Sequence, residues 1–244
     1  MREVRLLWGQ FLHEALTKWE VTIPLVFSNV LGLVMFSFGF RHAVGGDFAA
    51  NMAVGWIALS MVTIGVSATI VMTIDLTVTQ LHYLLSLPVS LNTILVGKMG
   101  SVGVLALLAS AVVLAVGQFV LLRTTVFNLL LLFVVLILQA GSLIGMLSAV
   151  AAFVNNISKL AVVTNFVISF LQFVSVVYFP MEIFPVYVRP ILYLNPLTYA
   201  INFSRALLMQ GEVDPVSVLV LVGLSSAWSM IGYICLKRRV ELLR

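Results

Sequence analysis

Residues 176–210 read VVYFPMEIFPVYVRPILYLNPLTYAINFSRALLMQ, and they decide the fold. They place Pro180, Pro185, Pro190 and Pro196 within 17 residues of a chain that is otherwise apolar and helix-forming. Each proline lacks a backbone donor and crowds the carbonyl four residues earlier, so they cannot share one straight helix across a bilayer. The spacing predicts short helices instead: Met181 to Phe184, Tyr187 to Leu194 and Leu197 to Met209. Asn195 is placed to cap the last of these and Pro196 to occupy its first position. Such pieces are too short to span and too apolar to stand in water. Four of the six tyrosines (Tyr178, Tyr187, Tyr193 and Tyr199) fall here, which puts residues 180–210 in the outer interface with partial re-entry into the membrane. A lid or gate over a pathway is what this segment is expected to build; the plainer alternative is an inert interfacial loop.

The rest of the chain sets the surroundings. Of 244 residues, 62% are hydrophobic and 9% charged, and the mean hydropathy is +1.17, which excludes a soluble domain. A spanning helix needs about 20 mainly apolar residues. Six stretches free of Asp, Glu, Lys and Arg meet that need: 22–40, 52–74, 102–122, 126–154, 160–179 and 216–236. The expected fold is therefore an all-α integral membrane protein of six transmembrane helices, a single integral membrane domain over 1–244. With no small-residue cleavage pattern after it, the first span is expected to remain as an anchor.

Ahead of that span, Val4, Trp8, Phe11, Leu12, Ala15 and Trp19 recur at helical spacing, so residues 1–20 read as an amphipathic helix in the inner interface. If the N-terminus is cytoplasmic, the inner segments carry nine basic residues and the outer ones four (Arg41, Arg123, Arg189 and Arg205), which favours both termini on the cytoplasmic side. Basic residues beside a membrane meet anionic headgroups, so the net charge of +4 calls for lipid and not nucleic acid. Gly45 and Gly46 suit a turn between the first two spans, with Trp56 as an outer aromatic anchor. Only Arg123, Thr124 and Thr125 separate the third and fourth spans, which predicts a tight hairpin. The fourth span carries Gly141 and Gly145 in GSLIG, a small-residue spacing read as helix packing.

Several function classes are disfavoured. Ion-coupled transporters need carboxylates or broken helices at depth, and the six spans contain no carboxylate; Asp75 stands at the cytoplasmic edge of the second. Intramembrane proteases need placed histidines or bases, yet His13, His42 and His82 all lie outside the spans. The lone Cys235 offers no disulfide or metal set. Gly97-Lys98 lacks the glycine spacing and hydroxyl of a nucleotide loop, so ATP and magnesium, if used, sit on another chain and this one binds no cofactor. The polarity left in the spans is mild: Ser60, Thr63 and Ser67 share a face of the second, and Asn165, Ser169 and Gln172 share a face of the fifth. Interhelical hydrogen bonding is their commoner use; a weakly polar path for an amphipathic substrate is the functional alternative.

The connection after the second span reads DLTVTQLHYLLSLPVSLNTILVGKMGS, residues 75–101. Leu81, Leu84, Leu85 and Leu87 form a short apolar stripe, Pro88 ends it, and Ser90 or Asn92 is placed to cap the next helix. A short cytoplasmic helix of this kind, over 76–90, fits a groove on a partner or lies in the interface. Together, YLLSLPVSLNTILVGK and FPMEIFPVYVRPILYLNPLTYAINFSRALL resemble the membrane-spanning permease of type-2 ABC exporters. Asn195-Pro196-Leu197-Thr198-Tyr199 followed by Arg205 is the most specific part. The chain departs from that pattern at Thr79, Gln80 and His82, where charged residues are common, and at Asn202, where an acid often precedes the arginine.

The resemblance implies that LLSLPVS is a coupling helix docking on a separate ABC ATPase and that the proline-rich segment forms extracellular re-entrant helices. It further implies two permeases, identical or related, and two ATPases per transporter in a prokaryotic plasma membrane. Its substrates would be amphipathic drugs, lipid-linked molecules or glycans. An ATP-independent lipid scramblase and a membrane scaffold are the rival expectations.

Overall fold

The computed structural model describes residues 19–43, 46–74, 89–119, 124–154, 156–178 and 181–243, with single helical positions at Gly9 and His13. Most of the expected amphipathic segment 1–20 therefore lies outside the described residues. So do Leu81, Leu84, Leu85, Leu87 and Pro88 of the expected coupling segment, and Pro180.

Among the described residues the chain is all helical. Its elements are α1 (Trp19–Ala43), α2 (Gly46–Ile74), α3 (Leu91–Gly117), α4 (Val126–Ala152), α5 (Ile157–Phe173), a 3-10 turn (Met181–Ile183), α6 (Arg189–Tyr193), α7 (Pro196–Arg205), a π turn (Ala206–Gln210) and α8 (Pro215–Leu243). Four of these are long and apolar enough to cross a membrane: α2, α3, α4 and α8. The apolar parts of α1 and α5, Thr22–Phe36 and Lys159–Phe173, are shorter.

The bundle is built around α2. In its most apolar stretch 72% of residues are buried, against 11% in α8, so α2 is the central helix and α8 an outer one. It touches α1, α3, α4, α5 and α7, and its Met61, Ile64 and Met72 are among the most enclosed side chains. Dispersion and lipid exclusion rather than water expulsion hold such a bundle, which favours close backbone approach at small residues.

The α4–α8 pair, the most extensive contact, shows this directly. A Cβ on Gly145 would run into the backbone of Trp228 and Ser229, and one on Gly232 into the carbonyl of Gly145. Ser229 Oγ donates to Gly141 O at 3.0 Å. GSLIG is thus the floor of this crossing, in keeping with its reading as a packing motif.

Helix ends follow local chemistry. Ser90, in extended conformation, caps α3 by accepting from Thr93 N, and Thr125 caps α4 by accepting from Asn128 N. Gln118 closes the gap between α3 and α4, donating to Thr124 O at 2.8 Å and accepting from Thr124 N at 3.1 Å. Because Ser90 starts α3, this helix begins well before the apolar run at Val102 and carries Lys98 inside it, 3% exposed. The long fourth run forms one continuous helix, and a turn follows at Phe153.

Trp56 is tied more tightly than an interfacial anchor requires. Its indole donates to Asn29 O at 2.8 Å, stacks on Phe36 with centroids 4.5 Å apart, and lies against Gly32, where any side chain would collide with it.

Candidate functional site

The proline-rich segment folds as short pieces because each described proline stands where no backbone donor is needed. Pro185 opens a turn in which its carbonyl accepts from Val188 N at 2.9 Å. Pro190 occupies the first turn of α6, and Pro196 that of α7. Asn195 caps α7 as its position in the sequence suggests, its Oδ1 accepting from Leu197 N at 3.0 Å. The expected continuation of that helix to Met209 becomes a π turn over Ala206–Gln210, closed by Gly211 at φ +72°, a left-handed conformation that strains any residue with a Cβ.

α7 is deeply seated. Pro196, Leu197, Thr198, Ala200, Ile201 and Phe203 are buried, against α2, α4 and α8. Leu197 and Ile201 join Ala58, Val62, Leu143 and Leu147 in one apolar cluster. The space between the far end of α7 and the bundle, lined by Ile57, Ala58, Leu132, Leu136, Ser204 and Leu208, measures about 10 Å³. That is about the volume one water molecule requires, so no route for a substrate is open there in this conformation. Burial holds the Tyr199 phenol above its ordinary range, with Tyr193 adding to the effect, and keeps it a neutral hydroxyl.

Side-chain hydrogen bonds fasten this seat to the end of α5. Asn195 Nδ2 donates to Leu171 O at 2.8 Å and to Val174 O at 2.5 Å. One side chain therefore starts α7 and satisfies one carbonyl in the last turn of α5 and one just beyond it, where helical partners run out. This is also why α5 stops at Phe173, short of the apolar run's end at Phe179: residues 174–178 leave the helix and turn beneath the proline-rich segment. Ser175 Oγ donates to Gln172 O at 2.8 Å. Arg205 Nη2 donates to Val177 O at 2.9 Å, so the arginine engages a backbone carbonyl where Asn202 offers it no carboxylate. Val177 O also lies over Gly55 of α2, where a Cβ would stand 2.6 Å from it. Gly55, Asn195 and Arg205 thus converge on one bend.

The two polar stripes are not brought together. On α2, Ser60 is buried and donates to Ile57 O, Ser67 donates to Thr63 O, and Thr63 donates to Ser60 O and to Asn29 Oδ1 on α1. On α5, Asn165 and Ser169 are exposed and Gln172 half-buried. The α2 hydroxyls serve packing, whereas the α5 stripe faces away from the bundle.

Sequence reading missed two polar residues that join helices. Asn29, 6% exposed, accepts from Thr63 through its side chain and from Trp56 through its carbonyl, while its Nδ2 donates to Leu25 O. Gln139, fully enclosed, donates to Ala58 O at 2.7 Å and so ties α4 to α2. A primary amide inside an otherwise apolar span was the available signal for both, since such a group must find a partner in hydrocarbon. No group of three or more His, Cys, Asp or Glu side chains suited to a metal occurs among the described residues.

A sequence model of the ABC-2 type transporter family matches residues 2–209, a range that includes the expected coupling segment, Asn195 and Arg205. A comparison with curated proteins gave no match.

Proposed function

The chain belongs to the ABC-2 type transporter family as a membrane permease subunit, and from that premise we propose that it exports an amphipathic or lipid-like molecule when driven by a separate ATPase. The drug, lipid-linked and glycan classes all fit this description. In this reading α1 and α5 are spans beside the four longer helices, both termini face the cytoplasm of a prokaryotic cell, and two permeases assemble with two ATPases. ATP and magnesium belong to the ATPase subunits, and this chain holds neither.

Leu81, Leu84, Leu85, Leu87 and Pro88 form the surface that receives ATPase motion. Residues 180–210 form the outer gate, with Asn195, Pro196, Tyr199 and Arg205 at its seat and Pro180, Pro185 and Pro190 separating its pieces. The exposed Asn165 and Ser169 on α5 face a route between two copies, in keeping with the space beside Ser204 and Leu208, which holds no more than about one water molecule. Ser60, Thr63 and Ser67 support the wall of that route as packing groups.

The observation that carries this reading is the clip made by Asn195 between α5 and α7. A shift of α5 relative to the bundle must either drag α7 with it or break the clip. Nucleotide-driven repacking on the inner side is thereby passed to the outer segment. The test is copurification with the ATPase, followed by ATP hydrolysis with and without Leu84→Ala and Leu85→Ala. A stable complex whose coupled ATPase activity falls at least about fivefold on double substitution supports the assignment. Failure to form a complex with any ABC ATPase refutes it.

A further inference from the structure

Most buried hydroxyls among the described residues are satisfied within their own helix: Ser60, Thr69, Thr73, Thr164 and Ser204 each donate to a carbonyl three or four residues earlier. Thr198 is not. It is completely enclosed, and its Oγ1 has no hydrogen-bond partner.

It lies in the first turn of α7, where Asn195 O, three residues back, accepts from Thr198 N at 3.1 Å and Leu194, four residues back, lies before the cap and outside the helix. The flanking Leu197 and Ile201 pack among aliphatic side chains, which offer no acceptor. Two other side-chain oxygens, Gln139 Oε1 and Ser148 Oγ, are enclosed in the same way, but both belong to the continuous helix α4. Of these oxygens only that of Thr198 lies on the short segment that the gate reading sets in motion.

We infer that the Thr198 hydroxyl is a release element for the outer gate. This inference rests on the gate reading above. While α7 is seated, the hydroxyl is desolvated and unpaired, a state that disfavours the seated form. When α7 lifts towards the outer surface the hydroxyl meets water and the penalty disappears. The seat is therefore held less firmly than its apolar packing alone would hold it, and Thr198 sets how readily it opens. An ordinary packing threonine would act in the opposite sense, since its removal would loosen the seat.

The experiment uses the full transporter with its ATPase in liposomes. Cys235→Ala removes the native thiol, and Ser204→Cys places a reporter on the buried face of α7. The readouts are labelling of the reporter by a membrane-impermeant maleimide added outside, and thermal unfolding of the same variants. Thr198→Val keeps the shape and removes the hydroxyl. It should label about tenfold more slowly, equivalent to about 1.4 kcal/mol on the opening equilibrium, and unfold at higher temperature. Thr198→Ser keeps the hydroxyl and should label within about twofold of the parent. The inference is overturned if Thr198→Val labels as fast as the parent or faster, or unfolds at lower temperature. Asn195→Ala separates this failure from failure of the gate reading. If it speeds labelling while Thr198→Val has no effect, the gate stands and the role of Thr198 falls; if it does not speed labelling, the gate reading falls, and the Thr198 inference with it.

Discussion

Asn195 acts as acceptor towards α7 and donor towards α5, and the substitution Asn195→Asp separates these roles. For a plain helix cap the two residues are nearly equivalent, because both offer a side-chain oxygen to the first turn. The clip demands otherwise. Asn195 is 4% exposed, and its Nδ2 lies 2.8 Å from Leu171 O and 2.5 Å from Val174 O. A carboxylate there would set an oxygen against two carbonyl oxygens and leave a buried charge unpaired, at a cost of about 3–5 kcal/mol. Asn195→Ala removes the cap, worth about 1 kcal/mol, and the two donations, each worth about 0.5–1.5 kcal/mol. Its total is about 2–4 kcal/mol. The expected order of stability is therefore the parent, then alanine, then aspartate. The charged variant also carries a pH signature. Burial raises the pKa of the introduced carboxyl in the folded state above its unfolded value, so the fold binds the proton more tightly, and stability falls as pH rises between those two values. Thermal unfolding in detergent at about pH 5 and pH 8 measures both effects: Asn195→Asp should recover part of its loss at the lower pH, and the parent should show no comparable recovery. An Asn195→Asp protein as stable as the parent at pH 8 would refute the clip and reduce Asn195 to a cap.

Two further predictions use glycines as internal rulers. Gly145→Ala drives a methyl into the backbone of α8, which cannot rotate aside, so the α4–α8 pair must part at a cost of about 1–3 kcal/mol. Gly223→Ala, with nothing within 4 Å, should be neutral or gain up to about 1 kcal/mol from helix propensity; equal unfolding temperatures for the two variants would contradict the packing. Gly55→Ala presses on Val177 O and so displaces the bend that Arg205 holds. It should speed outside labelling of the Ser204→Cys reporter several-fold, whereas Gly65→Ala, in open space on the same helix, should leave it unchanged.

The extent to which each feature was legible depended on the range of the interaction behind it. The prolines forbid a straight helix at 180–196 whatever surrounds them, so the broken outer segment could be read directly. Asn195 and Ser90 cap the helices that follow them because capping acts within three residues. The apolar runs named the helices, since a backbone in hydrocarbon has no other way to satisfy its polar groups. GSLIG announced a close crossing but not its partner.

Only the folded chain decided matters that join residues distant in sequence. The second half of the Asn195 amide serves carbonyls 21 and 24 residues away, and no local rule could assign it. Gln139 reaches Ala58 across 81 positions and Ser229 reaches Gly141 across 88. The polar stripes of the second and fifth spans looked alike in sequence, yet packing turned the first inward to Asn29 and left the second on an outer face. The orphan hydroxyl of Thr198 is the clearest case. Threonine in an apolar stretch ordinarily bonds to its own helix, whereas this one lies enclosed and unpaired in the first turn that Asn195 caps. Sequence fixes what each group needs locally; tertiary packing decides which of those needs is met, and by whom.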